Sequence, residues 1–180
     1  MAGTNAAAIR YIDEYKKKFV KELEENCRVF CNALCMAAIN FRESSPGKHD
    51  FTGNLLNSIV TCLYKDGSPI YACYAAERVP KAIQVKMTAG YRYTFGKDYE
   101  QSRSFYNPEV DTNEGWGEDD AKNFFNSYRP AGHNMFDIVV AYPTEYAGWV
   151  ELRRGTTGIV GTYDTAARLG VDYLKLPRVS

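Results

Sequence analysis

The sequence predicts an α+β fold: a long N-terminal helix and a shorter C-terminal helix packed on a mostly antiparallel sheet of four or five strands. Three observations carry this. From about residue 6 to 41, Ile12, Phe19, Leu23, Cys27, Phe30, Leu34, Ala38 and Phe41 recur at steps of three and four or their sum, the period of a single apolar helical face. Between 58 and 76, two β-rich runs flank Lys65-Asp66-Gly67-Ser68. Asp-Gly between such runs signals a hairpin, because these residues tolerate the left-handed backbone that a tight turn requires. From 135 to 142, Phe136, Ile138 and Val140 alternate with Asp137 and Val139, the period of a strand with one buried face.

The remaining elements follow in order. Lys16, Lys17, Lys18, Glu22, Glu24 and Glu25 fill the other side of the first helix. Their i,i+4 pairs are worth only about 0.3 kcal/mol each, and the run reads as a solvated face. A helix this long must lie across a sheet or protrude to meet a partner. Residues 43–48 (ESSPGK) break it. Asp50 or Thr52 then caps a short turn through Leu56, and strands follow over 58–64 and 70–76. Pro80 precedes a third β-type region in which Ile83, Val85 and Met87 alternate, as do Tyr91, Tyr93 and Phe95. It is one long strand or, by preference, a second hairpin turning at Ala89-Gly90.

Periodicity fades from 96 to 116, and 96–130 reads as an inserted loop region. Within it, 118–128 forms a short helix with Phe124, Phe125 and Tyr128 as its apolar side. Pro143 ends the organising strand, since it has no N–H for a ladder. Thr144 caps a short helix that places Tyr146, Trp149 and Val150 on one face, with Gly155 as its stop. A last helix over 163–176 buries Leu169, Tyr173 and Leu176 before Pro177. The chain thus reads as one domain over 1–180: long helix 6–41, β-rich core 51–95, insertion 96–130, and strand–helix–helix 135–176.

Composition narrows the function. Lys and Arg number 22 against 22 Asp and Glu, so no global field recruits nucleic acid or a membrane surface. No run is long and apolar enough for a transmembrane helix, and the N-terminus lacks the apolar core of a signal peptide. A protein made in a cytoplasm is expected, with its five cysteines as thiols. Cys27, Cys31 and Cys35 step by four along the first helix and read as small buried residues rather than metal ligands. Cys62 and Cys73 flank the hairpin and are expected to face each other across it.

No metal, cofactor or catalytic site is expected. His49 and His133 stand alone in breaker-rich loops, and no nucleophile elbow, zinc-protease or phosphate-loop motif occurs. Asp111-x-Asn113 hints at a calcium loop, but Gly115 and Trp116 stand where a ligand and the turn glycine belong. Glu145 and Glu151, six apart, project differently and read as cap and surface. Tyr91, Arg92, Tyr93, Phe95, Lys97, Arg103 and Phe105 interleave aromatic and basic residues as single-strand binders do. However, Asp98, Glu100 and the acidic run after them oppose phosphate.

Two motifs carry a resemblance. A strand running into Tyr146-Ala147-x-Trp149-Val150-Glu151, then a break at Gly155 and a final helix, resembles the neck or tail-completion proteins of long-tailed bacteriophages. Upstream, Thr52-Gly53-Asn54-Leu55-x-x-Ser58-Ile59 is similar to that family's Thr-Gly-Asn-Leu-x-x-Ser-Ile. The family core is shorter, so 96–130 reads as an elaboration. The resemblance implies a structural protein of the virion, made in the bacterial host cytoplasm, that joins head to tail. It implies self-assembly into a hexameric or dodecameric ring. Its partners would be portal, head-closure or adaptor proteins and tail proteins, with DNA only as passing cargo and no membrane.

The alternatives are a tail terminator or another neck ring protein and, from a different class, a cytoplasmic nucleic-acid-binding accessory protein. Abundant tyrosine, 14 residues, suits an interface protein. The candidate interface or channel residues are Tyr91, Tyr93, Phe95, Glu118, Asp119 and Asp120, beside the exposed face of the long helix. An acidic stretch facing a channel would repel phosphates and let DNA slide.

Overall fold

The computed structural model describes residues 3–44, 54–78, 92–94, 104–106, 117–132, 134–144 and 147, with 165, 166, 168–170, 173, 174 and 177 near the C-terminus. Along the chain run α1 (Gly3–Ser44), α2 (Asn54–Asn57), β1 (Val60–Lys65), β2 (Ser68–Tyr74) and α3 (Ala75–Arg78). They are followed by β3 (Arg92–Thr94), β4 (Ser104–Tyr106), α4 (Gly117–Ser127) and β5 (Phe136–Ala141). The class is α+β, with the long N-terminal helix the periodicity predicts.

β1 is the centre. It pairs antiparallel with β2 on one side and β5 on the other, in the order β2-β1-β5. α1 covers one face of this sheet and α4 the other. Val60, Thr61, Cys62, Leu63 and Tyr64 are therefore all buried, whichever way they point, because a strand covered on both faces has no solvent side. On the α1 side, Leu63 packs with Cys27 and Cys31, and Ile59 and Cys73 pack with Cys35, Ala38 and Ile39. On the α4 side, Val60, Cys62 and Tyr64 meet Ala121, Phe124 and Phe125. Tyr64 sits among rings, 6.3 Å from Phe125 and edge-on to Tyr128 at 5.9 Å. β5 follows suit: Phe136, Ile138 and Val140 join the α1 side, and Val139 and Ala141 the α4 side. Its two-residue period survives, but both of its faces are used.

The β1–β2 turn is built as its sequence requires. Asp66 and Gly67 both have positive φ, 50° and 76°, which matches the right-handed twist of the strands that they join. The ladder slips between Leu63 and Tyr64, where Tyr64 pairs with Pro69 and Ile70 is the extra residue. Pro69 is tolerated because β2 is an edge strand.

Among the described residues the main sheet has three strands, and the fourth and fifth strands expected for it are not confirmed. β3 pairs with β4 as a two-stranded ribbon, Tyr93 opposite Phe105, and the rest of 83–95 lies outside the described residues. One expectation is corrected. Cys62 and Cys73 do not face each other: Thr61 pairs with Cys73 and Cys62 with Ala72. A one-residue offset puts the two thiols on opposite faces of the sheet. As for the last helix, residues 165, 166, 168–170 and 173 are helical, and the Leu174 N–H donates to the Gly170 carbonyl at 3.0 Å. The rest of 163–176 lies outside the described residues.

Candidate functional site

The 42 residues of α1 make a rod about 63 Å long at 1.5 Å per residue, roughly three times the length of a six-residue strand such as β1. Its buried part begins at Cys27, and every described side chain from 5 to 18 is exposed. Glu24 binds Lys65 at the end of β1, while Cys35 lies against Cys73 and Ile39 against Ile59. The helix therefore runs antiparallel to β1 and leaves the sheet at the Lys65 end. The projecting turns are not polar all round. Ile9, Tyr11, Ile12 and Tyr15 are 58%, 70%, 51% and 43% exposed. Ile12, Tyr15 and Phe19 continue the stripe that Leu23 and Phe30 begin in the core.

Where the arm meets the sheet there is an open groove of about 440 Å³, lined by Lys16, Lys17, Val20, Lys21, Glu24 and Lys65. Its one carboxylate is already engaged. Glu24 accepts from Arg28 at 2.9 Å and from Lys65 at 3.0 Å, and these hydrogen bonds hold its carboxyl below the usual glutamate range. Arg28 lies 5.1 Å over the Tyr71 ring. The Tyr71 hydroxyl and Arg78 both donate to Asn32 Oδ1, at 2.9 and 2.8 Å. This chain of contacts fixes the groove's wall to β2 and α3. Lys16, Lys17 and Lys21 have no ion-pair partner among the described residues, so the groove is net positive.

The two family-like motifs meet in the interior. Leu55 packs with Ala147 and Tyr142, and Leu55, Ser58, Ile59 and Ala147 are all buried. Ser58 donates to the Leu55 carbonyl at 2.9 Å, and its Oγ lies 3.4 Å from Thr144 Oγ1. The Ala147 N–H donates to the Thr144 carbonyl at 3.0 Å, and the rest of the helix expected after Thr144 lies outside the described residues. These residues hold elements together rather than face a ligand. Asn54 opens α2. Thr52, Gly53, Tyr146, Trp149, Val150, Glu151 and Gly155 lie outside the described residues, as do Tyr91 and Phe95. Tyr93 is described only as part of β3.

Glu118, Asp119 and Asp120 form the first turn of α4, where carboxylates suit the helix dipole. Glu118 holds Lys122 at 2.6 Å. This turn belongs to the α4 face, across the sheet from the lysine groove.

All five cysteines are free and buried. Burial pushes Cys62 up to about 12 and raises Cys31 as well. The Cys35 thiol donates to the Cys73 carbonyl at 3.4 Å. A hydrogen bond from Cys35, with help from Arg78, draws Cys73 down against its burial. No group of three metal-binding side chains occurs among the described residues, and no described helix is long and apolar enough to cross a membrane.

Sequence reasoning missed the groove. The signal for it was Lys16, Lys17 and Lys21 on adjoining turns, but only the fold shows that Lys65 completes it. No protein-family model matches the chain, and no curated protein or solved structure matches it.

Proposed function

We infer that this chain is a structural protein of a tailed-phage virion, a ring component of the neck that joins the head to the tail and lets DNA pass. The observation that carries the reading is the α1 arm. Four large apolar side chains stand exposed on turns that the chain's own sheet does not reach, and such a stripe is a surface built to be covered by protein. A further observation supports it. Leu55 and Ala147, one from each of the two motifs that resemble the neck family, pack together in the interior. The ring would be hexameric or dodecameric, seated between portal or adaptor proteins and the tail.

Antibody-gold labelling of intact particles tests this reading. Label at the head–tail vertex is expected, and label confined to the tail tip or capsid would contradict it. Within the same class, a tail terminator would place the label at the top of the tail tube. The lysine groove favours one reading from another class, a nucleic-acid-binding accessory protein. Retention on DNA that falls steeply with salt, without incorporation into particles, would establish that alternative.

A further inference from the structure

We propose that the lysine-lined groove at the root of the α1 arm receives the acidic first turn of α4 from a second copy of this chain. The proposal rests on the ring reading and names the contact that would build it. Three features of the groove point to an anionic occupant. Lys16, Lys17, Lys21 and Lys65 line it, its only carboxylate is held by Arg28 and Lys65, and it is open to solvent. The same chain carries the complement. Glu118, Asp119 and Asp120 stand together on the first turn of α4, and Glu118 pairs with Lys122.

Placement favours a second copy over another anion. The groove lies on the α1 face of the sheet, at the Lys65 end of β1. The first turn of α4 lies on the opposite face, where Ala121 packs with Val60 at the other end of that strand. One molecule cannot bring these surfaces together, but successive copies can. Two different complementary surfaces on opposite sides of a subunit make a head-to-tail contact, which closes into a ring when its rotation allows. Val20, on the groove wall, and the exposed stripe beyond it supply apolar area beside the ion pairs, which are worth little alone in water.

Charge reversal and charge exchange test the contact. Lys16→Glu with Lys21→Glu makes the groove acidic, and Glu118→Lys with Asp119→Lys makes the turn basic. Lys65 is left in place because it ties β1 to α1. In sedimentation velocity at low salt, wild type should self-associate, and each double variant should do so at least tenfold more weakly with unchanged circular dichroism. An equimolar mixture of the two variants should associate again, since each then meets its opposite. Assemblies that form equally well in both variants would overturn this contact and leave the ring reading intact. Wild type that stays monomeric at every concentration and salt would overturn the contact too, and particle copy number then judges the ring separately. Salt-sensitive DNA retention that the groove variant loses, without any self-association, would make the groove a phosphate site and overturn the proposal.

Discussion

Ser58 Oγ and Thr144 Oγ1 lie 3.4 Å apart in the interior, across 86 residues of chain. They tie the end of α2 to the segment that leaves β5. Ser58 also donates to the Leu55 carbonyl. Ser58→Ala should therefore lower stability by about 1 kcal/mol, the usual worth of a buried hydrogen bond. Combined with Thr144→Val in a double-mutant cycle, it should show coupling of about 0.5 kcal/mol or more. Denaturant unfolding measures both, and strictly additive effects would mean that the hydroxyls do not interact.

Thr61 behaves differently. It is fully buried on β1 and its Oγ1 has no hydrogen-bond partner. An unpaired buried hydroxyl costs free energy, and valine keeps the β-branch that strands favour. Thr61→Val should be neutral or stabilising by up to about 1 kcal/mol. A clear loss of melting temperature would show that this hydroxyl is needed.

Glu24 makes part of the stability pH-dependent. Arg28 and Lys65 lower its pKa in the folded protein. A depressed carboxylate contributes stability fully above its unfolded value and loses it as pH falls through the folded one. Glu24→Gln should thus be less stable than wild type at pH 7, by about 0.5–1 kcal/mol for a partly exposed pair. The difference should shrink as pH falls below the ordinary glutamate range and through the lowered folded value. Unfolding curves at pH 7 and pH 3 check the sign, and a gap that widens in acid would refute this role.

The thiols supply a test of the core. Cys31 and Cys62 are fully buried on opposite faces of the sheet and protonated at neutral pH. A thiol reagent should label the native protein slowly, at a rate limited by opening, and all five cysteines quickly in denaturant. Rapid labelling of Cys62 in native buffer would contradict the placement of α4 over the sheet.

Much of the fold was legible because its signals are local. The helix period of α1, Asp66-Gly67 in the turn and the alternation in β5 each needed only a few residues. Phe124 and Phe125 marked the buried side of α4 in the same way. What was not legible depends on register and distance. Whether Cys62 faces Cys73 turns on a one-residue offset, which no local pattern encodes. The pairing of β3 with β4 joins 92–94 to 104–106 across a stretch in which the local periodicity fades. The groove was hidden for the same reason, since Lys65 is 44 positions from Lys21. For the site, the lysines looked like a solvated face, which they are on their own helix. Their convergence with a strand end gives them another role.

The apolar arm separates assembly from folding. Ile12→Glu with Tyr15→Glu alters exposed side chains beyond the sheet, so stability should stay within about 0.5 kcal/mol. Incorporation into particles should nevertheless fall at least tenfold, read by complementation of a deletion phage. Normal incorporation would show that the arm is not an assembly surface.

The central claim is most directly tested by quantitative mass spectrometry of purified phage particles, with this chain scaled to the portal protein. The account predicts a fixed copy number per particle equal to one hexameric or dodecameric ring. Absence from particles while the protein is abundant in the lysate would contradict it.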